Sequence, residues 1–129
     1  MSALLDTHAL LWLADDPQRL PAPIVALCED ETNDLSVSIA SFWELSIKMS
    51  LGKTTLGEDA LSRLSRWCHD NAISILPIEL SHLNQLQCLP CHHRDPFDRL
   101  LIAQAQSENM GIISVDEHFK AYDIEVLWG

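Results

Sequence analysis

Three short runs, Ala3-Leu4-Leu5, Ile73-Ser74-Ile75-Leu76 and Ile112-Ile113-Ser114-Val115, are apolar with almost no polar alternation. A strand with one wet face alternates apolar and polar residues, whereas a strand covered on both faces does not. These runs are therefore expected to be strands of a parallel sheet, which needs helices to cross from one strand to the next. The intervening segments supply them. "THALLWLA", "APIVALCEDE", "IASFWELSIKMSLGK", "GEDALSRLSRWCHDN", "LSHLNQLQCL" and "PFDRLLIAQAQSENMG" have helical spacing; "SALLD", "DLSVS", "AISILPI", "IISVD" and "DIEVLW" read as strands. Ser41 is the expected N-cap of the third helix, Gly52 its stop, and Gly111 the stop of the last one. The expectation is a three-layer α/β/α sandwich around a mostly parallel sheet of about five strands, as one domain spanning 1–129.

In open parallel sheets, ligands bind beyond the carboxyl ends of the strands. Asp6 follows the first strand and Asp116 the fourth; Glu44 and Asp98 lie in the first turns of helices near the same edge. Two like charges ~4 Å apart repel by about 4 kcal/mol at an effective dielectric near 20. Four converging carboxylates must therefore take up protons or hold cations. Oxygen ligands without sulfur suit Mg²⁺ or Mn²⁺, ions that bridge carboxylates and phosphate oxygens. Each acid also has a plainer reading. Asp6 can cap the helix starting near His8, Ser41-x-x-Glu44 fits a capping box, and Asp116 can cap the turn "DEHF". Asp95-Pro96-x-Asp98 is a good helix start, with a cap, Pro at the first position and a carboxylate at the third.

The formal net charge is −11, which repels nucleic acid at long range unless cations or a local basic patch intervene. It equally suits a basic protein partner. No apolar run approaches the ~18 residues of a membrane span, and the N-terminal stretch lacks a basic region and a cleavage site. A cytoplasmic setting is expected, with the four cysteines as thiols and Cys28 and Cys68 in the core.

One further stretch competes for the metal. Cys88-x-x-Cys91-His92-His93 fits a c-type haem or zinc pattern. A zinc site normally needs a second ligand pair, and Cys28, Cys68, His69 and His118 form no matching motif. A phosphoacceptor domain would want paired acids after the first strand and a lysine after the last, and this chain has neither.

Four pieces, "LLDTHALLWLADDP" (4–17), "SVSIASFWELSIKMSLGK" (36–53), "LPCHHRDPFDRLLIAQA" (89–105) and "ISVDEHFKAYDIEVL" (113–127), resemble a PIN domain, specifically a VapC-type toxin of a bacterial toxin–antitoxin pair. The resemblance implies a metal-dependent ribonuclease. It places Asp6 and Asp98 as the main Mg²⁺ ligands (Mn²⁺ being the alternative), with Glu44 and Asp116 ligating or acting through water. Asp95, Thr7 and Ser114 take supporting roles. Arg94, Arg99 and Lys48 are candidate phosphate contacts, Lys53 a weaker one. Lys48 also stands i,i+4 from Glu44 as a helix ion pair. Trp43 can stack on a base or belong to the core. The resemblance further implies a cognate antitoxin, an RNA substrate, a homodimer and no membrane association. The alternative is a PIN fold that binds RNA or a partner without cutting.

Overall fold

β1 (Ser2–Leu5) lies at the centre of a five-stranded parallel sheet, between β2 (Asp34–Ser38) and β4 (Gly111–Ile113). β3 (Ile73–Leu76) and β5 (Val126–Leu127) form the edges. This computed structural model describes residues 1–53 and 56–129. Its helices are α1 (Thr7–Asp15), α2 (Ala22–Glu29), α3 (Ile39–Ser50), α4 (Ala60–Asp70), α5 (Leu80–Gln87) and α6 (Pro96–Glu108), with short 3-10 turns at Pro17–Arg19 and Glu117–Ala121. None of them is long and apolar enough to cross a membrane.

Successive strand residues point to opposite faces, and here both faces are filled. Ala3, Leu5, Val37 and Ile113 pack with Leu10, Ile24, Leu45 and Leu64 from α1 to α4. Leu4 and Ile112 pack on the other face with Leu101, Ile102 and Ala105 of α6 and with Phe119. That is why the strands read as unbroken apolar runs.

The chain runs from β1 to β2 to β3 in one direction, then returns to lay β4 on the opposite side of β1. The connections leaving β1 and β4 therefore diverge, opening a crevice at the carboxyl ends of these two strands. The Asp6 amide donates to Ile113 O at 3.1 Å and ties the two ends together.

Several local expectations are corrected. α3 is capped by Ser38, whose hydroxyl accepts the Ala40 N–H at 3.0 Å, and not by Ser41. β2 turns into the helix at its last residue, so the cap comes three residues early. Ser41 and Glu44 then face inward, Glu44 sits in the second turn, and the capping box does not form. α6 ends at Asn109, in the left-handed region (φ 55°), and Gly111 instead opens β4. Asparagine tolerates that conformation by bonding locally. Gly52 does follow the end of α3, with φ 69°. β4 stops at Ile113, so Asp116 belongs to the turn beyond it. Cys68 is in the core, Cys28 is half-buried, and Cys88 and Cys91 are exposed thiols.

Leu101, 1% exposed, fills the core beneath the N-terminal half of α6. Replacing it by alanine is expected to cost about 2–5 kcal/mol, the usual range for a buried leucine. Urea unfolding of Leu101→Ala beside the wild type checks this; a loss well under 1 kcal/mol would contradict the packing described.

Candidate metal centre

The crevice collects carboxylates because three of them are also the caps of the elements that start there. Asp6 caps α1, its Oδ1 accepting the Ala9 N–H at 2.7 Å. Asp95 caps α6, its Oδ1 accepting from Phe97 N at 2.8 Å and Asp98 N at 3.3 Å. Asp116 caps the 3-10 turn, its Oδ1 accepting the His118 N–H at 2.9 Å. A cap fixes the direction of its side chain, so the plainer reading of Asp6, Asp95 and Asp116 as caps holds and leaves each carboxylate aimed from the start of its element.

Glu44 reaches the site from the inner face of α3. Thr7 Oγ1 lies 2.8 Å from Glu44 Oε1 and 2.9 Å from Ser41 Oγ. One hydroxyl carries one proton and a carboxylate only accepts, so Thr7 donates to Glu44 and takes the Ser41 proton. Lys48 Nζ meets the other carboxylate oxygen at 3.1 Å. Asp6, Thr7, Ser41, Glu44 and Ser114 are all buried, Ser114 with its hydroxyl on the Asp116 N–H at 2.9 Å.

The electrostatics show that the acids feel one another. Burial raises the Asp6 carboxyl above its ordinary range, partly offset by the Ser114 hydroxyl, while Asp116 adds to the rise. Burial also pushes Asp98 up to about 7, with Asp95, Glu44 and Asp6 adding repulsion. Burial acts on Asp116 too, but the hydrogen bonds from His118 and His93 outweigh it and leave that carboxyl lowered. Lys48 is the one lysine or arginine paired with any of these acids among the described residues. Hard oxygen donors, desolvated and short of positive charge, fit a divalent ion of the Mg²⁺ or Mn²⁺ kind.

Sequence reasoning considered two histidines only as zinc or haem ligands and did not set them beside the acids. His93 Nε2 lies 3.1 Å from Asp98 Oδ2 and 3.3 Å from Asp116 Oδ2, and His118 Nδ1 lies 2.8 Å from Asp116 Oδ1. His93 was legible only as part of a cysteine–histidine frame. That frame does not assemble. His92 stacks edge-on against Tyr122, and Cys91 Sγ meets the Arg99 guanidinium at 3.6 Å.

The basic candidates separate. Lys48 is engaged by Glu44, as its spacing allowed. Arg99 is tied back to Leu89 O at 3.3 Å and to Cys91. Arg94 is exposed and lines an open groove beside the site with Lys48, Lys53 and Phe97. Trp43 is 54% exposed, not core, and packs edge-on against Phe97 with ring centres 4.9 Å apart.

The family model described as PIN domain matches residues 3–125. Comparison with curated proteins finds no match by sequence. Among solved structures, the chain is similar to VapBC2 from Rickettsia felis, bound to a DNA fragment from their promoter, with a TM-score of 0.74, 16% identity and 100% of both chains covered. It is similar to VapBC-1 from nontypeable Haemophilus influenzae (TM-score 0.70, 18% identity, 98% of this chain and 97% of that one). FitAcB from Neisseria gonorrhoeae gives a TM-score of 0.63 at 19% identity, covering 97% of this chain and 96% of that one. At such identities the likeness is one of fold.

The raised Asp98 carboxyl links stability to pH. Its folded value of about 7 exceeds its ordinary 3.8, so between those values the native state holds a proton that the unfolded chain has lost. Stability then falls as pH rises through that window. Without divalent ions, the wild type is expected to lose Tm between about pH 4 and about pH 7, the span of that window, more steeply than Asp98→Asn. Equal slopes in thermal melts would show that Asp98 keeps an ordinary carboxyl.

Proposed function

The chain belongs to the PIN domain family, and from that premise we propose that it is a divalent-metal-dependent ribonuclease acting as the toxin of a toxin–antitoxin pair. The observation that supports the proposal is the crevice at the ends of β1 and β4, where Asp6 and Glu44 lie near enough to Asp98 to help push its carboxyl up to about 7 and His93 links Asp98 to Asp116. These four acids would hold Mg²⁺ or Mn²⁺. When bound, such an ion lowers the pKa of a water and offsets charge on phosphodiester oxygens.

The chain's own residues set the stage for that chemistry. Asp6 is fixed by the Ala9 amide, and Glu44 by Thr7 and Lys48. Asp95, through Oδ1, accepts the Phe97 and Asp98 amides and so supports the first turn of α6 that carries Asp98. Arg94 lines the groove beside Glu44 and Asp95, where it could meet a phosphate backbone.

The partner reading draws on the similar structures, which are of VapBC and FitAB assemblies. An acidic chain, net charge −11, favours an antitoxin segment bearing basic groups. The homodimer reading draws on α3. Ile39, Trp43, Ile47 and Leu51 recur every four residues and are between 36% and 61% exposed, forming an apolar stripe beside the site. An exposed stripe of this kind marks an interaction surface.

Two outcomes are expected. Purified protein should cut members of an RNA panel only with Mg²⁺ or Mn²⁺. Asp6→Asn and Asp98→Asn should each lose activity by on the order of a hundredfold or more, the scale of losing one group that stabilises developing charge. Variants that cut as well as the wild type would show the site is misassigned, and no cleavage with any divalent ion would favour binding without cutting. Separately, Trp43→Glu should convert a dimer to a monomer in light scattering; an unchanged dimer would move the interface elsewhere.

A further inference from the structure

His93 joins two acids that come from different elements. Asp98 hangs from the first turn of α6 and Asp116 from the turn after β4, and the ring's Nε2 lies within 3.3 Å of both. The opposite ring nitrogen, Nδ1, faces the Asp95 backbone N–H at 3.2 Å and accepts from it. A nitrogen that accepts has a lone pair and no proton, so the ring's one proton sits on Nε2, aimed at the two carboxylates.

The rest of the residue is held as firmly. The backbone N–H groups of His92 and His93 both donate to Tyr122 Oη, at 3.0 and 2.8 Å. The ring packs 6.1 Å from that of buried Phe119 and 5.2 Å from that of His118. His93, Asp116 and His118 offer donor atoms within 4.8 Å of one another, which would suit a transition metal. Ligation through His93 Nε2 would move the ring proton to Nδ1, where it would oppose the Asp95 N–H. The geometry favours a donor to the acids over a ligand to the metal.

We propose that His93 is a positioning residue, whose Nε2–H holds the Asp98 and Asp116 carboxylates toward one point so that a divalent cation meets two acids already fixed in direction. This rests on the reading that the acid cluster holds such an ion. Hydrogen-bonding partners that orient metal-binding side chains are worth about 10–100-fold in metal affinity.

The test uses the full chain and Mn²⁺, with binding followed by electron paramagnetic resonance of the free ion. It also uses ¹⁵N spectra of the histidine rings in the metal-free wild type, a measurement that needs no variant. The expected ring signature is a protonated Nε2 and a bare Nδ1. His93→Ala should lose about tenfold in Mn²⁺ affinity, and His93→Gln, which keeps an N–H donor, should recover part of the loss. A protonated Nδ1 in the wild type, or a folded His93→Ala that binds Mn²⁺ as tightly, overturns the inference and leaves the metal reading standing. A wild type that binds no Mn²⁺ overturns the metal reading and the inference with it.

Discussion

The pairing of β1 with β4 governs the rest of the molecule. Its register sets Ala3 against Gly111, Leu4 against Ile112 and Leu5 against Ile113. A slip of one residue would turn every side chain to the other face. Leu4 and Ile112 lie in one core, Leu5 and Ile113 in the other, and all four are completely buried. Two full cores therefore enforce one register. Hydrophobic packing places the two strand ends, and the Asp6 amide's bond to Ile113 O ties them together. The backbone under the acids is thus set by forces indifferent to their charge, and the caps and His93 then aim the side chains.

That indifference explains how the fold tolerates repulsion at its centre. Burying a carboxylate is costly, and nearby like charge makes it more so. The structure limits the damage locally. Asp6 and Asp116 each accept a backbone N–H at the head of a helix or turn, Glu44 has a lysine, and Asp98 carries the strain as a carboxyl raised to about 7. Caps satisfy amides that would otherwise lack partners. The same side chains thus stabilise their own helices while burdening one another, and a bound cation would relieve the second effect without touching the first.

The sheet was legible because burial on both faces leaves a one-dimensional trace, the unbroken apolar run. Asp95 and Asp98 are legible as a helix start because cap, proline and acid lie within four residues, and Asp6 because it ends an apolar run and heads a helix. Legibility failed where the deciding contact was distant or a nearer residue competed. Ser41 has the spacing of a cap, but Ser38 takes that role because β2 passes straight into α3, a junction that spacing alone does not reveal. Asn109 takes the helix stop because it adopts the left-handed conformation two residues earlier, leaving Gly111 to pair with Ala3 in β4. His93 was hidden twice. Two cysteines suggested the wrong chemistry, and its partner Asp116 lies in a separate segment that only the sheet order brings near.

The bonds that the amides of residues 92 and 93 donate to Tyr122 Oη also bear on the order in which the molecule is made. Asp6 and Glu44 are synthesised early, while Asp116, Tyr122 and β4 come late. Until β4 is added, β1 is an edge strand, with Leu4 and Leu5 half-covered and no crevice at its end. Pairing across so much of the sequence is intrinsically slow and comes after local helices have formed. A partly translated chain therefore holds three of the four acids with no wall to set them against. Translation completes the core and the crevice in the same step.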